Sequence, residues 1–416
     1  MISGDLLILG AASIVGFYMA YNIGANDVAN AMGTSVGSHS LSFRQAIIIA
    51  AIFEFSGAIL AGNHVASTIG KGIINPIIFS SNPNDYIYGM LSSLLAAGIW
   101  LNFATKLGWP VSTTHSIVGA VVGFGIIARG VHSIHWNVII HIVASWIISP
   151  VFGGIISYII FSFILKKILR SVEPVLATKS YMPIISFYLA FLLSMSIVYK
   201  GLKNLHLNLS IYNSLAISLT LGLVAFVLSR IYLSKVKVDK TAKPWRRLPA
   251  VERIFRYFQI VTASYMAFAH GANDVANAVG PLVGMITVIQ SHNISSTAPV
   301  SWWILAFGGS GIVIGLATLG YKVIITVGRK LTDLTPSRGF SAEIGAATTI
   351  LIASKLGLPI STTHVLVGSI IGVGMARGLG AIRLSVMKDI VYAWFLTLPA
   401  AMILSAIIYY LIGFIR

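Results

Sequence analysis

An eight-residue string, Gly24-Ala25-Asn26-Asp27-Val28-Ala29-Asn30-Ala31, occurs a second time without change at Gly271-Ala272-Asn273-Asp274-Val275-Ala276-Asn277-Ala278. In both copies a carboxylate and two carboxamides interrupt an otherwise apolar run. A carboxylate kept among apolar residues of a membrane segment is costly and marks a functional site by default. Two of them at matched places call for a duplicated architecture with a polar centre inside an apolar shell. The competing use, a structural pairing with lysine or backbone N–H groups, finds no basic partner within either string.

Of 416 residues, 56% are hydrophobic and 9% charged, with a mean hydropathy of +0.88. A soluble domain carries about 25% charged residues. The chain therefore reads as an all-α polytopic membrane protein, with several runs reaching the ~20 residues that cross a bilayer as helix. Its 39 glycines suit closely packed and broken membrane helices. In a soluble chain the net charge of +17 would point to nucleic acid. Here most basic residues sit in short segments between apolar runs, which is a topology signal, and no nucleic-acid partner is expected. Cysteine is absent, which excludes disulfide and thiolate chemistry. The first apolar run begins near Leu6, behind Asp5 and without a basic leader, so no cleavable signal peptide is expected.

A second repeated string supports the duplication. Pro110-Val111-Ser112-Thr113-Thr114-His115 is matched by Pro359-Ile360-Ser361-Thr362-Thr363-His364. The two octapeptides are 247 residues apart and these runs 249, so residues 1–170 and 254–416 read as internal repeats. Residues 171–253 read as a two-helix connector with a basic loop at 234–253. About 12 membrane segments are expected. Five lie in the first half, near 6–23, 46–66, 86–104, 110–128 and 138–165. Two lie in the connector, at 181–199 and 212–233. Five lie in the second half, near 254–275, 302–320, 341–355, 360–377 and 386–414. Residues 32–45 read as a small, polar segment ending at Arg44, and the stretch from 276 to about 300 as mixed and partly exposed.

If loop 234–253 is cytoplasmic, parity leaves only Lys71, Arg129, Lys200, Lys203, Lys355 and Arg416 outside, of 28 basic residues. That bias places both termini on the extracytoplasmic side. Seven segments precede the second half, so the two repeats have inverted topology, with a site expected near the midplane. The short glycine-rich runs at 110–128 and 360–377 are candidates for broken or re-entrant helices.

The chemistry follows from these strings. Ser112-Thr113-Thr114 and Ser361-Thr362-Thr363 follow a proline and open an apolar run, as helix-capping residues do. The first turn of a helix carries free N–H donors and suits an anion. Two such turns from opposite sides, with their hydroxyls, suit a small oxyanion such as phosphate or sulfate. Asp27 and Asp274 would repel that anion. With Asn26, Asn30, Asn273 and Asn277 they form hard oxygen ligands suited to Na⁺ as the coupling ion; the rival is H⁺ carried by the same aspartates. No resident cofactor is expected. Glu54 and Glu343 occupy unmatched positions and either complete a cation site or hold the bundle. His115 and His364 either shape the breaks as core histidines or take part directly. His39, His115, His270 and His364 lack the spacing of a metal centre. Glycines 119, 123, 125, 368, 372 and 374 read as helix-packing positions.

No GxxxxGK[ST] string and no nucleophile–base arrangement is present, so an enzyme is not expected and the energy source is an ion gradient. A channel would need a continuous polar stripe and a receptor a signalling domain; the sequence offers neither. The duplicated octapeptide, followed in each half by Pro-(Val/Ile)-Ser-Thr-Thr-His, resembles the inorganic phosphate transporter family over nearly the whole chain, except the connector. The resemblance implies symport of inorganic phosphate with Na⁺ or H⁺. It implies phosphate near Asn26, Asp27, Ser112, Thr113, Thr114, Asn273, Asp274, Ser361, Thr362 and Thr363. It also implies a homodimer in the plasma membrane, and the short connector implies a compact prokaryotic form. Some relatives of that family carry sulfate or metal–phosphate complexes.

Overall fold

A computed structural model of the chain describes residues 2–198, 209–236, 244–291, 294, 300–330, 334–378 and 384–414. Lys200, Lys203, Lys237, Lys240, Lys243, Arg416 and nearly all of 292–299 lie outside the described residues, as do the side chains of Lys71 and Arg246.

The described residues form helices joined by short turns, with one isolated bridge between Ile74 and Ile134. The first half contains α1 (Ile2–Gly37), α2 (Phe43–Ala61), the short α3 (Asn63–Ser67), α4 (Pro83–Leu107), α5 (Thr113–Arg129) and α6 (Trp136–Ile164). The connector is α7 (Pro174–Ser196) and α8 (Ile211–Ser234). Then come α9 (Pro244–Ser291), α10 (Trp302–Thr318), α11 (Tyr321–Lys330), α12 (Pro336–Lys355), α13 (Thr362–Arg377) and α14 (Leu384–Gly413). Eight of these helices are long and apolar enough to cross a membrane, and α5 and α10 are shorter apolar helices. The chain is a multi-pass membrane protein, and eleven of the twelve expected segments fall mainly on one of these helices each, whereas 46–66 is divided between α2 and α3.

Two expected boundaries are wrong. The first helix does not give way near residue 23 to a polar segment at 32–45. It runs through the octapeptide to Gly37, and His39 ends it with φ +59°. The second copy likewise lies inside one 48-residue helix, which begins at Pro244 rather than 254 and continues to Ser291. Local polarity suggested an end; lateral partners for Asn26, Asp27 and Asn30 remove the reason for one. In the most apolar stretch of α9, 94% of residues are buried inside the protein, against 17% in α8 and α14. It is the central post of the bundle.

Gly24 and Gly271, the first residues of the two strings, are crossing points. A Cβ on Gly24 would sit 1.9 Å from Ile312 O of α10, and one on Gly271 would sit 2.1 Å from Glu54 O of α2. Each motif helix thus lies backbone to backbone against the second helix of the other half. The ends of the halves are exchanged in the same way. Glycines of α5 meet α14, Gly119 at Leu398 and Gly123 at Met402. Glycines of α13 meet α6, Gly368 at Pro150 and Gly372 at Gly154. The glycine series therefore serves close packing, as its spacing suggests.

The breaks expected before the hydroxyl runs are present. α4 and α12 stop at Gly108 (φ +71°) and Gly357 (φ +70°), a left-handed backbone that glycine adopts without steric cost. Extended segments follow, and Ser112 and Ser361 cap α5 and α13. Arg129 donates to Asp85 at 2.9 Å, so the far end of α5 returns to the start of α4. α4–α5 and α12–α13 are helical hairpins whose tips touch: Thr114 Oγ1 donates to Ile360 O at 2.9 Å and Thr363 Oγ1 to Val111 O at 3.3 Å. Their bases lie at opposite ends of α9. Ser337, at the base of α12, donates to Glu252, whereas Tyr86, near the base of α4, packs against Gly284.

Candidate functional site

The hairpin tips meet beside the two octapeptides, and the resulting cluster is enclosed. Asn26, Asp27, Asn30, Ser112, Thr113, Thr114, Asn273, Asp274, Asn277, Ser361, Thr362 and Thr363 are all at most 2% exposed. Burying so many polar groups is tolerable only if they are paired, and the pairing crosses between halves. Asn30 Nδ2 on α1 donates to Asp27 Oδ1 at 2.8 Å and to Thr363 Oγ1 at 2.8 Å. Asn277 Nδ2 on α9 donates to Thr113 Oγ1 at 3.1 Å and Thr114 Oγ1 at 3.3 Å. Thr362 Oγ1 donates to Asp274 Oδ2 at 2.7 Å. Each motif asparagine therefore holds the hydroxyl pair of the opposite half.

Asn26 and Asn273 stand differently. Asn26 donates to Thr105 Oγ1 (2.9 Å) and Trp109 O (3.1 Å) and accepts from Val111 N at 3.2 Å. Its amide binds down the chain break before Ser112. Asn273 lies 3.0 Å from Ser354 Oγ, and the orientation that satisfies both ends of its amide also donates to Asp274 Oδ1 at 3.0 Å.

Two buried oxygens at this place have no hydrogen-bond partner: Asp27 Oδ2 and Asn277 Oδ1. Unpaired acceptors in a site rich in oxygen ligands fit a hard cation. The hydroxyls and the first turns of α5 and α13 fit an oxyanion, since a helix start leaves N–H groups without intrahelical partners.

His270 sits at the centre of the carboxylates, and sequence reasoning grouped it only with the other histidines. Its Nε2 is 2.9 Å from Asp274 Oδ2 and 3.8 Å from Asp27 Oδ2; its Nδ1 is 3.3 Å from Glu54 Oε1. Ligand atoms of Asp27, His270 and Asp274 all lie within 4.8 Å of one another. The signal was available: His270 precedes Asp274 by four residues, one helical turn, and its counterpart in the first copy is Ile23. Glu54 joins the cluster through this histidine.

Glu343 does not. It lies two turns along α1 from Asp27, where Thr34, Ser35, Gln259 and Thr262 all donate to its carboxylate. His115 and His364 lie behind the hairpin tips. Their rings stand 4.5 Å apart and rest on Trp146 at 3.7 Å and Trp394 at 3.6 Å. The Nε2 atoms of both have no hydrogen-bond partner.

Ser112 Oγ accepts from His115 N and Ser361 Oγ from His364 N, both at 3.2 Å. Replacing an N-cap serine by alanine costs about 1 kcal/mol. Ser112→Ala and Ser361→Ala should each lower the unfolding temperature in detergent by about 2 °C, and the double variant by about twice that. Calorimetry or a fluorescence melt reads the shift.

Comparison with known proteins adds the following. A family model described as "Phosphate transporter family" matches residues 23–405. A protein of Haemophilus influenzae named "Putative phosphate permease" is 46% identical over 401 residues, covering 96% of this chain and 95% of its own. A Pyrococcus furiosus protein of the same description is 46% identical over 404 residues, covering 95% of this chain and 94% of its own. A solved structure called "The sodium-dependent phosphate transporter" superposes with a TM-score of 0.92 at 41% identity, covering 99% of this chain and 100% of that one.

Proposed function

Because the chain belongs to the phosphate transporter family, one of transporters rather than enzymes, we propose that it imports inorganic phosphate in symport with Na⁺ by alternating access. The observation that carries the reading is the enclosed meeting of two hairpin tips with two aspartates. Ser112, Thr113, Thr114, Ser361, Thr362 and Thr363, with the first turns of α5 and α13, hold the phosphate. Asp27, Asp274, Asn30 and Asn277 supply oxygens to Na⁺. Asn26 and Asn273 hold the breaks in position. A cation between the carboxylates and the anion cancels their repulsion, which makes the two cargoes depend on each other. The burial of every one of these side chains supports an enclosed site. The solved relative's own name joins phosphate to sodium, which supports Na⁺ as the coupling ion.

The repeats 1–170 and 254–416 take inverted orientations in this reading, supported by hairpin bases at opposite ends of α9. The connector 171–253 braces them, the protein resides in the plasma membrane as a homodimer, and both termini are extracytoplasmic with residues 234–253 cytoplasmic.

One observation favours a second reading, coupling to H⁺. His270 touches Asp274 and lies beside Asp27 and Glu54, a chain of acid–base groups able to hold a proton. Uptake of labelled phosphate into liposomes separates the two. An inward Na⁺ gradient at equal pH should drive accumulation, and a pH gradient without Na⁺ should not. Accumulation that follows pH and ignores Na⁺ replaces the first reading with the second. Sulfate competing as well as phosphate would remove the cargo assignment.

A further inference from the structure

A groove of about 400 Å³ opens on the outer surface between α7, α8 and α9. Its wall is nearly all apolar, formed by Leu189, Leu193, Leu228, Phe258 and Val261 among others. Its end towards the basic loop is different. Tyr232 and Tyr257 stand there with ring centroids 5.8 Å apart. Between them and the apolar wall lies Ser229, a lining residue 8% exposed, whose hydroxyl is buried and has no hydrogen-bond partner. One turn beyond the tyrosines on the same two helices are Lys235, three residues after Tyr232, and Arg253, four before Tyr257; both are exposed.

We propose that this groove is a binding site for one anionic phospholipid, its acyl chain among the leucines and its phosphate between Lys235 and Arg253. The order of chemistry along the groove is the order of chemistry along a lipid. Leu189, Leu193 and Val261 meet hydrocarbon. The tyrosines occupy the headgroup level, where amphipathic rings collect. Two cations beyond them select an anionic headgroup over a zwitterionic one. A second apolar groove, lined by Pro150, Gly154, Ile155, Gly368 and Met375, has the hydrocarbon wall but a single tyrosine, Tyr158, in place of the tyrosine pair.

The test uses the whole protein, delipidated in detergent and titrated with phosphatidylglycerol or phosphatidylcholine. Native mass spectrometry counts bound lipid, and a thermal melt follows stabilisation. The expected result is one phosphatidylglycerol per chain, held about thirtyfold more tightly than phosphatidylcholine, as two surface cations would give. The double change Lys235→Gln and Arg253→Gln should erase the preference and leave the fold intact, since both side chains are exposed. Ala225→Trp, which fills the groove, should remove binding of both lipids, whereas Ile155→Trp in the second groove should leave it unchanged. Equal affinity of the unaltered protein for the two lipids overturns the proposal, as does a double variant that keeps the preference. If Ala225→Trp instead changes the number of subunits in the particle, the groove seats a second copy and the lipid assignment falls.

Discussion

Asp27→Asn and Asp274→Asn should each cut Na⁺-driven phosphate uptake by at least about tenfold while the protein still inserts and purifies as a folded chain. The size follows from the charge. A charge-assisted contact is worth about 1.5–3 kcal/mol, and each 1.4 kcal/mol is a factor of ten, so cation affinity falls about 10–150-fold. Coupling then carries the loss to phosphate. The fold should survive because asparagine has the shape of aspartate and keeps one acceptor oxygen. For Asp27 that oxygen still receives Asn30; for Asp274 it still receives Thr362. Uptake into proteoliposomes, read beside a thermal melt of the same preparation, checks both halves of the expectation. A variant that transports normally shows that its aspartate is not a cation ligand. The two variants together test whether the sites are equivalent, which the His270–Asp274 distance of 2.9 Å argues against.

Gly271→Val should be the more damaging change to the protein itself. A Cβ at this position would lie 2.1 Å from Glu54 O and within 2.8 Å of two further backbone atoms of Glu54. Backbone cannot turn aside as a flexible side chain can, so α2 and α9 must separate. Overpacking costs about 1–3 kcal/mol, and more where backbone is displaced. Separation would also pull Glu54 away from His270, so transport and stability fall together. Gly57→Val meets Phe268 O at 2.1 Å from the other helix and should behave alike. Gly10→Ala is the control: nothing lies within 4 Å of its added methyl, and alanine in a helix gains about 0.5–1 kcal/mol over glycine. Expression level and melting temperature of the variants give the comparison; an unperturbed Gly271→Val would mean the crossing is looser than described.

These effects also mark what the chain discloses before it folds. The eight membrane-crossing helices are legible because apolar length alone specifies a membrane helix. The breaks at Gly108 and Gly357 are legible because glycine, proline and a capping serine follow one another within five residues. The extent of α1 and α9 is not, since Asn26, Asp27 and Asn30 look like helix-ending residues until their partners on other helices are known. His270 stands plainly four residues before Asp274, yet its closeness to Asp27 and Glu54 depends on three helices crossing. The separation of Glu343 from the aspartates is hidden for the same reason. Sequence spacing places side chains on one helix; it does not say which helices meet.

The exchange of end helices between the halves has a consequence for synthesis. Gly123 of α5 packs on Met402 of α14, which the ribosome adds 279 residues later. At about 5–20 residues per second, roughly 14–56 s pass between the two. Throughout that interval the glycine face of α5 lies in the bilayer without its partner. The first hairpin can therefore reach its final packing only after the last helix has entered the membrane, so a chain that stops before α14 leaves the earliest part of the protein unfinished.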